Sequence, residues 1–160
     1  MSHTPLPYLP LGRMFGFLTK QYIGIVSRKM ENTPIHRYYY PLYIIGKNSG
    51  KISQQQLSDQ VLIDKVSLVR ILDGLTDDGL IERKTNPKDR RQHLLSVTSK
   101  GLPWIEIIEQ TMRETDQLFL DLVSESGHDC LKSKMTEMFE GVKEIATQDV
   151  ELIYKKLAQK

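Results

Sequence analysis

The stretch from residue 51 to residue 101 constrains the fold most, because it contains two helix-start signals close together. Ser53, with Gln56 three residues later, has the capping-box pattern that begins a helix, and this helix should end near Val61. Asp64 is then the N-cap of a second helix, after a link of three residues. Two short helices joined in this way are typical of a helix-turn-helix.

The second helix is followed by the pattern of a short hairpin. Gly79 suits the position just after the helix end, and strands are predicted over 80–84 and 94–98 with a polar tip at 85–89. This element order is that of a winged helix-turn-helix, in which the second helix enters the major groove of DNA.

The remainder of the chain is predicted to be helical. Apolar residues recur at helical spacing before and after the central stretch, and Pro41 indicates a kink or a late start in the second of these helices. The predicted ranges are 11–30, 34–47, 98–123 and a last helix from about 128 that continues through Ile153 and Leu157. The apolar faces of the end helices need a partner, which is either a second copy of the chain or the chain itself.

The charge is unevenly distributed along the sequence. The net charge of +2 combines +5 in residues 1–50, +2 in 51–100 and −5 in 101–160. Within 83–100, six basic residues are opposed by Asp89 alone. A local basic patch in a nearly neutral chain suggests contact with nucleic acid, although a solvated charged loop has the same composition.

The second helix has one apolar and one polar face. Leu68, Ile71, Leu72 and Leu75 cluster within about 100° of each other on the helical wheel, which predicts the buried side. Val66 and Arg70 lie on the other side and Ser67 flanks them, where they can reach base edges or phosphates, and Lys65 at the helix N-terminus suits a backbone phosphate.

The hairpin tip has the chemistry of a minor-groove contact, since that narrow groove attracts inserted arginine. Arg90 or Arg91 would insert, and Asp89 would hold Arg91 in position by a carboxylate–guanidinium pair. The full set of candidate DNA-binding residues is Ser53, Lys65, Val66, Ser67, Arg70, Lys88, Asp89, Arg90 and Arg91.

These motifs resemble the MarR-type transcriptional regulators. The similar text is LSDQVLIDKVSLVRILDGLTDDGLIER (57–83) and NPKDRRQHLLSVTSKG (86–101), with an Asp-x-Arg wing before a strand that ends in Val-Thr-x-x-Gly. The family often has a turn glycine in place of Leu62 and a small polar residue in place of Val66. The fold class is thus mainly α with a small β-hairpin wing, a winged helix-turn-helix plus N- and C-terminal dimerisation helices.

The resemblance implies a single domain over 1–160, with a DNA-binding lobe at about 33–101 and dimerisation helices at about 8–32 and 102–160. It implies a homodimer on double-stranded DNA with a pseudo-palindromic operator, modulated by a small ligand. Small aromatic ligands in this family lie between the dimer helices and the DNA-binding lobe. The candidate ligand residues are Tyr22, His36, Arg37 and Tyr40, for which ordinary packing is the alternative.

Two other functions remain open at this point. The winged helix could be a protein-interaction module without DNA binding, or the regulator could respond to oxidants through Cys130. Because Cys130 is the only cysteine, an intramolecular disulfide cannot form, and an incidental thiol is the simpler interpretation.

Enzyme and metal functions are not predicted. The sequence contains no phosphate-binding glycine loop and no nucleophile elbow, and its histidines lack the spacing of metal ligands. We therefore expect no catalytic residue, no cofactor and no metal site. No apolar run approaches the roughly 20 residues of a membrane span and no secretory signal is evident, so we expect a cytoplasmic protein without a membrane partner.

Overall fold

Six helices and a three-stranded sheet make up the described part of the chain. The computed structural model describes residues 10–35, 38–61, 63–87, 89–123 and 125–142. The helices are α1 Leu11–Lys29, α2 Tyr39–Lys47, α3 Gln54–Val61, α4 Lys65–Asp77, α5 Leu102–Leu120 and α6 Glu125–Val142. The strands are β1 Ile52–Ser53, β2 Ile81–Asn86 and β3 Asp89–Val97. The predicted fold class, mainly helical with a small β wing, is confirmed.

Helix α2 begins later than the sequence pattern suggested. The predicted start at Pro34 is wrong, since the helix begins at Tyr39. Pro41 is the reason, because it has no N–H to donate and fits only within the first turn of a helix. As the third residue of α2, Pro41 occupies that turn and is buried.

The two central helices begin as predicted. The Ser53 N–H donates to Gln56 Oε1 at 2.9 Å, and the Gln56 N–H donates to Ser53 Oγ at 3.3 Å, so the capping box of α3 is formed. Asp64 is the N-cap of α4, and its Oδ1 accepts the Ser67 N–H at 2.9 Å. These caps satisfy backbone donors that the first turn of each helix leaves unpaired.

Helix α4 ends in a Schellman motif at Gly79. Gly79 has a φ of +69°, in the left-handed region that glycine adopts without strain. The Leu80 N–H donates to the Leu75 carbonyl and the Gly79 N–H to the Thr76 carbonyl, both at 2.9 Å. This turn leads the chain directly from α4 into β2.

The hairpin is longer than predicted. β3 lies between β1 and β2 in an antiparallel sheet, and β2 pairs with β3 from Ile81↔Val97 to Thr85↔His93. The predicted polar tip at 85–89 is wrong, because cross-strand pairing continues to Asn86↔Asp89 and leaves only residues 87 and 88 between the strands. The sequence analysis also missed β1, whose two residues pair with Leu94 and Leu95.

Helix α5 begins at Leu102 instead of Thr98. The Thr98 hydroxyl donates to the Gly79 carbonyl at 2.7 Å and accepts the Gly101 N–H at 3.2 Å, so residues 98–101 form a turn tied to the end of α4. α6 is described up to Val142, and the predicted continuation through Ile153 and Leu157 lies outside the described residues.

The apolar face of α5 packs largely within the chain. Ile108 and Thr115 are buried, and the Phe119 ring contacts the Tyr22 ring edge-on with centroids 5.6 Å apart. α5 contacts both α1 and α2, so the alternative of packing within one chain holds for this helix. Leu122, which falls within the predicted range 98–123, is 85% exposed beyond the helix end.

A single core joins α1 to α5 and the sheet. It is formed by aliphatic side chains and Met30, and its fully buried large members are Met30, Ile35, Leu42, Ile45, Leu57, Leu68, Leu72, Leu75, Leu80, Ile81, Leu95 and Ile108.

Gly101 offers a test of this packing. An added Cβ there would lie 2.2 Å from the Leu80 carbonyl oxygen, so Gly101→Ala must displace backbone. We expect it to lower the free energy of unfolding by roughly 1–3 kcal/mol, measured by urea denaturation. Gly74→Ala is the matched control, because its Cβ would meet Tyr38 at an ordinary 3.7 Å and should stabilise α4 by about 0.5–1 kcal/mol. Equal stability of the two variants would contradict this packing.

Candidate nucleic-acid interface

The outward face of α4 carries the residues predicted to read DNA. Its leucines Leu68, Leu72 and Leu75 are fully buried, which turns Val66 and Arg70 to the outside. Val66 is 63% exposed on this face. The buried stripe predicted from the sequence is confirmed, and it fixes which face of α4 is exposed.

The N-terminus of α4 is well ordered by its cap. Ser67 is half-buried beside Asp64, and its hydrogen bonds to that carboxylate hold the pKa of Asp64 below its usual range. Lys65, the first residue of the helix, is exposed. Lys65 and Ser67 are therefore presented at the helix end, where an ammonium group and a hydroxyl can reach a phosphate.

The wing presents its arginines through an irregularity in the ladder. Between the pairs Thr85↔His93 and Asn86↔Asp89, three residues of β3 have no partner on β2, namely Arg90, Arg91 and Gln92. A bulge of this kind re-aims side chains at the end of a hairpin. It leaves the Arg91 side chain 91% exposed.

Asp89 holds Arg91 as the sequence analysis predicted. The Asp89 carboxylate accepts the Arg91 backbone N–H at 3.0 Å and the Arg91 Nε–H at 3.3 Å, both through Oδ1. An exposed pair adds little stability, so its effect is to fix the backbone and the guanidinium stem. Lys88 lies outside the described residues.

A concave cleft lies between α3, the start of α4 and the wing, and we call it the basic cleft. It contains the cations Lys65 and Arg91, and no carboxylate is among the described residues that line it. Those residues are Ser53, Gln54, Gln55, Ser58, Lys65, Leu68, Arg91, Gln92 and His93. Hydroxyl, amide and cationic donors around one concave surface are suited to a phosphate.

The basic cleft contains residues that the sequence analysis missed. Gln54 and Ser58 are half-buried beside the buried Leu57 and Val61, and Gln55 is exposed, so helical spacing alone does not mark these three residues as one surface. Gln92 lies in the bulge and His93 follows it, paired with Thr85, and no local sequence pattern indicates the bulge. Ser53, a predicted contact, is 7% exposed at the floor, where its hydroxyl caps α3.

One carboxylate on the exposed side of α4 is paired with the wing. Arg83 Nη2 of β2 donates to Asp73 Oδ1 at 2.6 Å. Arg83 was counted in the basic patch, and the structure shows that its charge is offset by Asp73.

The predicted ligand residues are only partly within the described chain. His36 and Arg37 lie outside it, while Tyr40 is 41% exposed on α2. The Tyr22 hydroxyl donates to Asp116 Oδ1 at 2.8 Å, and partial burial together with this carboxylate raises the pKa of Tyr22. Tyr22 also borders an apolar groove between α1, α5 and α6, with Phe15, Leu18, Phe119 and Met135.

Other candidate chemistry lies away from the basic cleft. Cys130 is an exposed thiol on α6. Within the described ranges, no group of three or more His, Cys, Asp or Glu residues is arranged to hold a metal ion. None of the helices in those ranges is long and apolar enough to cross a membrane.

Residues 35–92 match the sequence model of the MarR family, which covers α2 to the wing. A protein of Thauera aromatica, described as a transcriptional regulatory protein for the hcr operon, is 32% identical over 101 residues, 63% of this chain. The match spans 60% of the length of that relative.

Solved structures share the fold over most of the chain. A MarR transcriptional regulator from Methanosarcina mazei aligns with a TM-score of 0.77 and 23% identity, over 85% of this chain and 98% of that one. A MarR family regulator from Listeria monocytogenes, solved in complex with a 26mer DNA, aligns with a TM-score of 0.75 and 20% identity, over 89% and 100%.

Proposed function

Because this chain has MarR-family sequence over residues 35–92 and the MarR winged-helix fold, we propose that it is a DNA-binding transcriptional regulator. MarR-family proteins are transcriptional regulators and not enzymes. The observation that carries the proposal is the basic cleft, where Lys65 of α4 and the Asp89-held Arg91 of the wing line one concave surface. A protein that acts beside DNA would reside in the cytoplasm.

The two exposed elements would occupy neighbouring grooves of the duplex. α4 would enter the major groove, with Arg70 donating to guanine or phosphate and Val66 contacting a thymine methyl. The wing would place Arg91 or Arg90 in the adjacent minor groove, with Lys88 nearby. The DNA backbone between the grooves would then lie in the basic cleft, within reach of Lys65, Ser67 and the Ser58 hydroxyl of α3.

We further propose that two copies of the chain form the DNA-binding unit. α1 exposes an apolar stripe at spacings of three and four residues, with Leu11, Met14 and Leu18 each more than 40% exposed. α6 exposes a second one through Leu131, Met135, Met138 and Val142. Stripes of this kind are typical of helices that pack against a partner, and a two-fold dimer would present two α4 helices to a pseudo-palindromic operator.

A small aromatic ligand is proposed to modulate DNA binding near Tyr22. The ring of Tyr22 and those of Phe15 and Phe119 line the apolar groove, and Tyr40 is exposed nearby on α2. His36 and Arg37 remain predicted members of this site. Because α1 and α5 meet at Tyr22, a ligand there would shift the spacing of two DNA-binding lobes if it favours one arrangement of these helices.

The DNA-binding proposal is tested by two arginine substitutions. Genomic fragments retained by the protein give an operator, and fluorescence anisotropy gives its Kd at several salt concentrations. Arg70→Ala should weaken the free energy of binding to the operator by about 1–3 kcal/mol and relax the sequence preference. Arg91→Ala should weaken binding to the operator and to random DNA by similar factors. It should also lower the slope of log K against log salt by about one.

Lys134→Ala is the matched control, because it removes the same charge from α6, away from the basic cleft, and should change neither affinity. If the protein binds DNA as proposed, the logarithm of its association constant should fall with the logarithm of the salt concentration, with a slope of about 0.9 per phosphate neutralised. A wild-type protein that retains no fragment, or binds without salt dependence, would instead favour a protein-interaction module.

The dimer is tested by a charge on the exposed face of α1. Phe17 is 60% exposed there, and Phe17→Glu should shift the mass from dimer to monomer in light scattering at micromolar concentration. Val69→Glu, at a 38% exposed residue of α4 outside both predicted dimerisation segments, is the control and should leave the dimer intact. A wild-type chain that is monomeric at all concentrations would contradict this arrangement.

The ligand proposal is tested with benzoate as a probe. Benzoate should raise the melting temperature of the free protein and weaken operator binding, because a ligand stabilises the state that it binds. Tyr22→Phe keeps the ring and removes the hydroxyl that donates to Asp116, so the response should diminish while the fold persists. An identical melting temperature and Kd with and without benzoate would refute an aromatic carboxylate ligand.

A further inference from the structure

The recognition face of α4 contains a carboxylate that does not suit its proposed role. Asp73 lies three residues after Arg70 and seven after Val66, so the three side chains share one side of the helix. Asp73 is exposed, and a negative charge beside a phosphate backbone opposes binding. Its position therefore needs a physical reason other than contact with DNA.

That reason is its partner on the wing. Arg83 Nη2 lies 2.6 Å from Asp73 Oδ1, within the range of a charge-assisted hydrogen bond. The Arg83 side chain is 29% exposed and the Asp73 side chain 54% exposed, so the pair lies at the edge of the core. The contact joins residues ten apart, across the turn at Gly79.

The alternation of β2 explains why Arg83 meets α4. Ile81 is buried in the core, and Arg83, two residues later, lies on the same side of the strand. Glu82 and Lys84 alternate to the opposite side, where their side chains pair with each other. Arg83 thus extends the contact between β2 and α4 one step beyond the buried residue, towards the wing tip.

We propose that Asp73 and Arg83 are positioning residues that fix the wing relative to α4, which rests on the proposed function. DNA binding in two grooves requires the two elements to be held at a set separation, and a rigid arrangement avoids an ordering cost on binding. The pair also neutralises a charge on this face that would repel DNA. Because exposed ion pairs add little stability, the pair acts on geometry and not on folding.

The test compares Asp73→Ala, Arg83→Ala and the exchanged pair Asp73→Arg/Arg83→Asp. Kd is measured for the selected operator and for a random duplex of equal length. Asp73→Ala removes a negative charge, yet it should weaken operator binding roughly tenfold while binding to random DNA is unchanged or tighter. Arg83→Ala should lose operator affinity to a similar extent, and the exchanged pair should recover part of it.

Glu82→Ala is the matched control for charge, since it removes a carboxylate from the other side of the same strand. It should leave the ratio of operator to random binding as in the wild type. If Asp73→Ala binds the operator as tightly as the wild type or more tightly, the proposed positioning role of the Asp73–Arg83 pair is wrong. The proposal is also wrong if the losses of operator affinity are additive and Arg83→Ala alone lowers the slope of log K against log salt by about one. In that case Arg83 is a phosphate contact.

A readout without DNA separates this proposal from the proposed function. In the free protein, Asp73→Ala and Arg83→Ala should speed amide hydrogen exchange in 82–86 relative to wild type, with exchange in α5 unchanged. If the wild type fails to bind DNA, the proposed function is wrong. Faster exchange in the two variants would still support the role of the Asp73–Arg83 pair in holding the wing. Unchanged exchange in both variants would show that the pair does not hold the wing.

Discussion

The burial of the α4 leucines is the constraint on which the interface depends. Each of Leu68, Leu72 and Leu75 is fully buried, and a buried leucine contributes about 1.5–3 kcal/mol relative to an exposed one. Rotating α4 about its axis would expose all three together, so the helix has one stable orientation. That orientation decides that Val66, Arg70 and Asp73 face outward.

The C-terminal end of α4 also determines where the wing begins. Leu75 accepts the Leu80 N–H in the turn at Gly79, and Leu80 in turn accepts the Thr98 N–H where β3 leaves the sheet. The end of α4, the base of the wing and the start of α5 therefore meet at one hydrogen-bonded junction. The close approach of Gly101 to Leu80 belongs to this junction, which explains why even an alanine side chain there must displace the backbone.

Local signals made the ends of α3 and α4 predictable. The wing was predicted only in part, because it depends on long-range pairing. The capping box at Ser53, the cap at Asp64 and the left-handed Gly79 each involve residues a few positions apart, and all were identified from the sequence. The length of the hairpin, the bulge at Arg90–Gln92 and strand β1 depend on cross-strand partners that no local pattern specifies. The basic cleft was incompletely predicted partly for the same reason, because Gln92 lies in that bulge and His93 follows it.

Charge along the sequence and charge in the structure lead to different conclusions about the N-terminal part. Residues 1–50 have a net charge of +5, which by itself suggests a second basic surface. In the structure, Lys29 pairs with Glu114 at 2.7 Å and Lys47 with Glu109 at 2.6 Å, so acidic residues of α5 offset part of that charge. Such contacts lower the pKa of both glutamates through hydrogen bonds from the lysines. Lys65 and Arg91 bring the positive charge of α4 and the wing together in the basic cleft, and this charge favours contact with a polyanion at that surface.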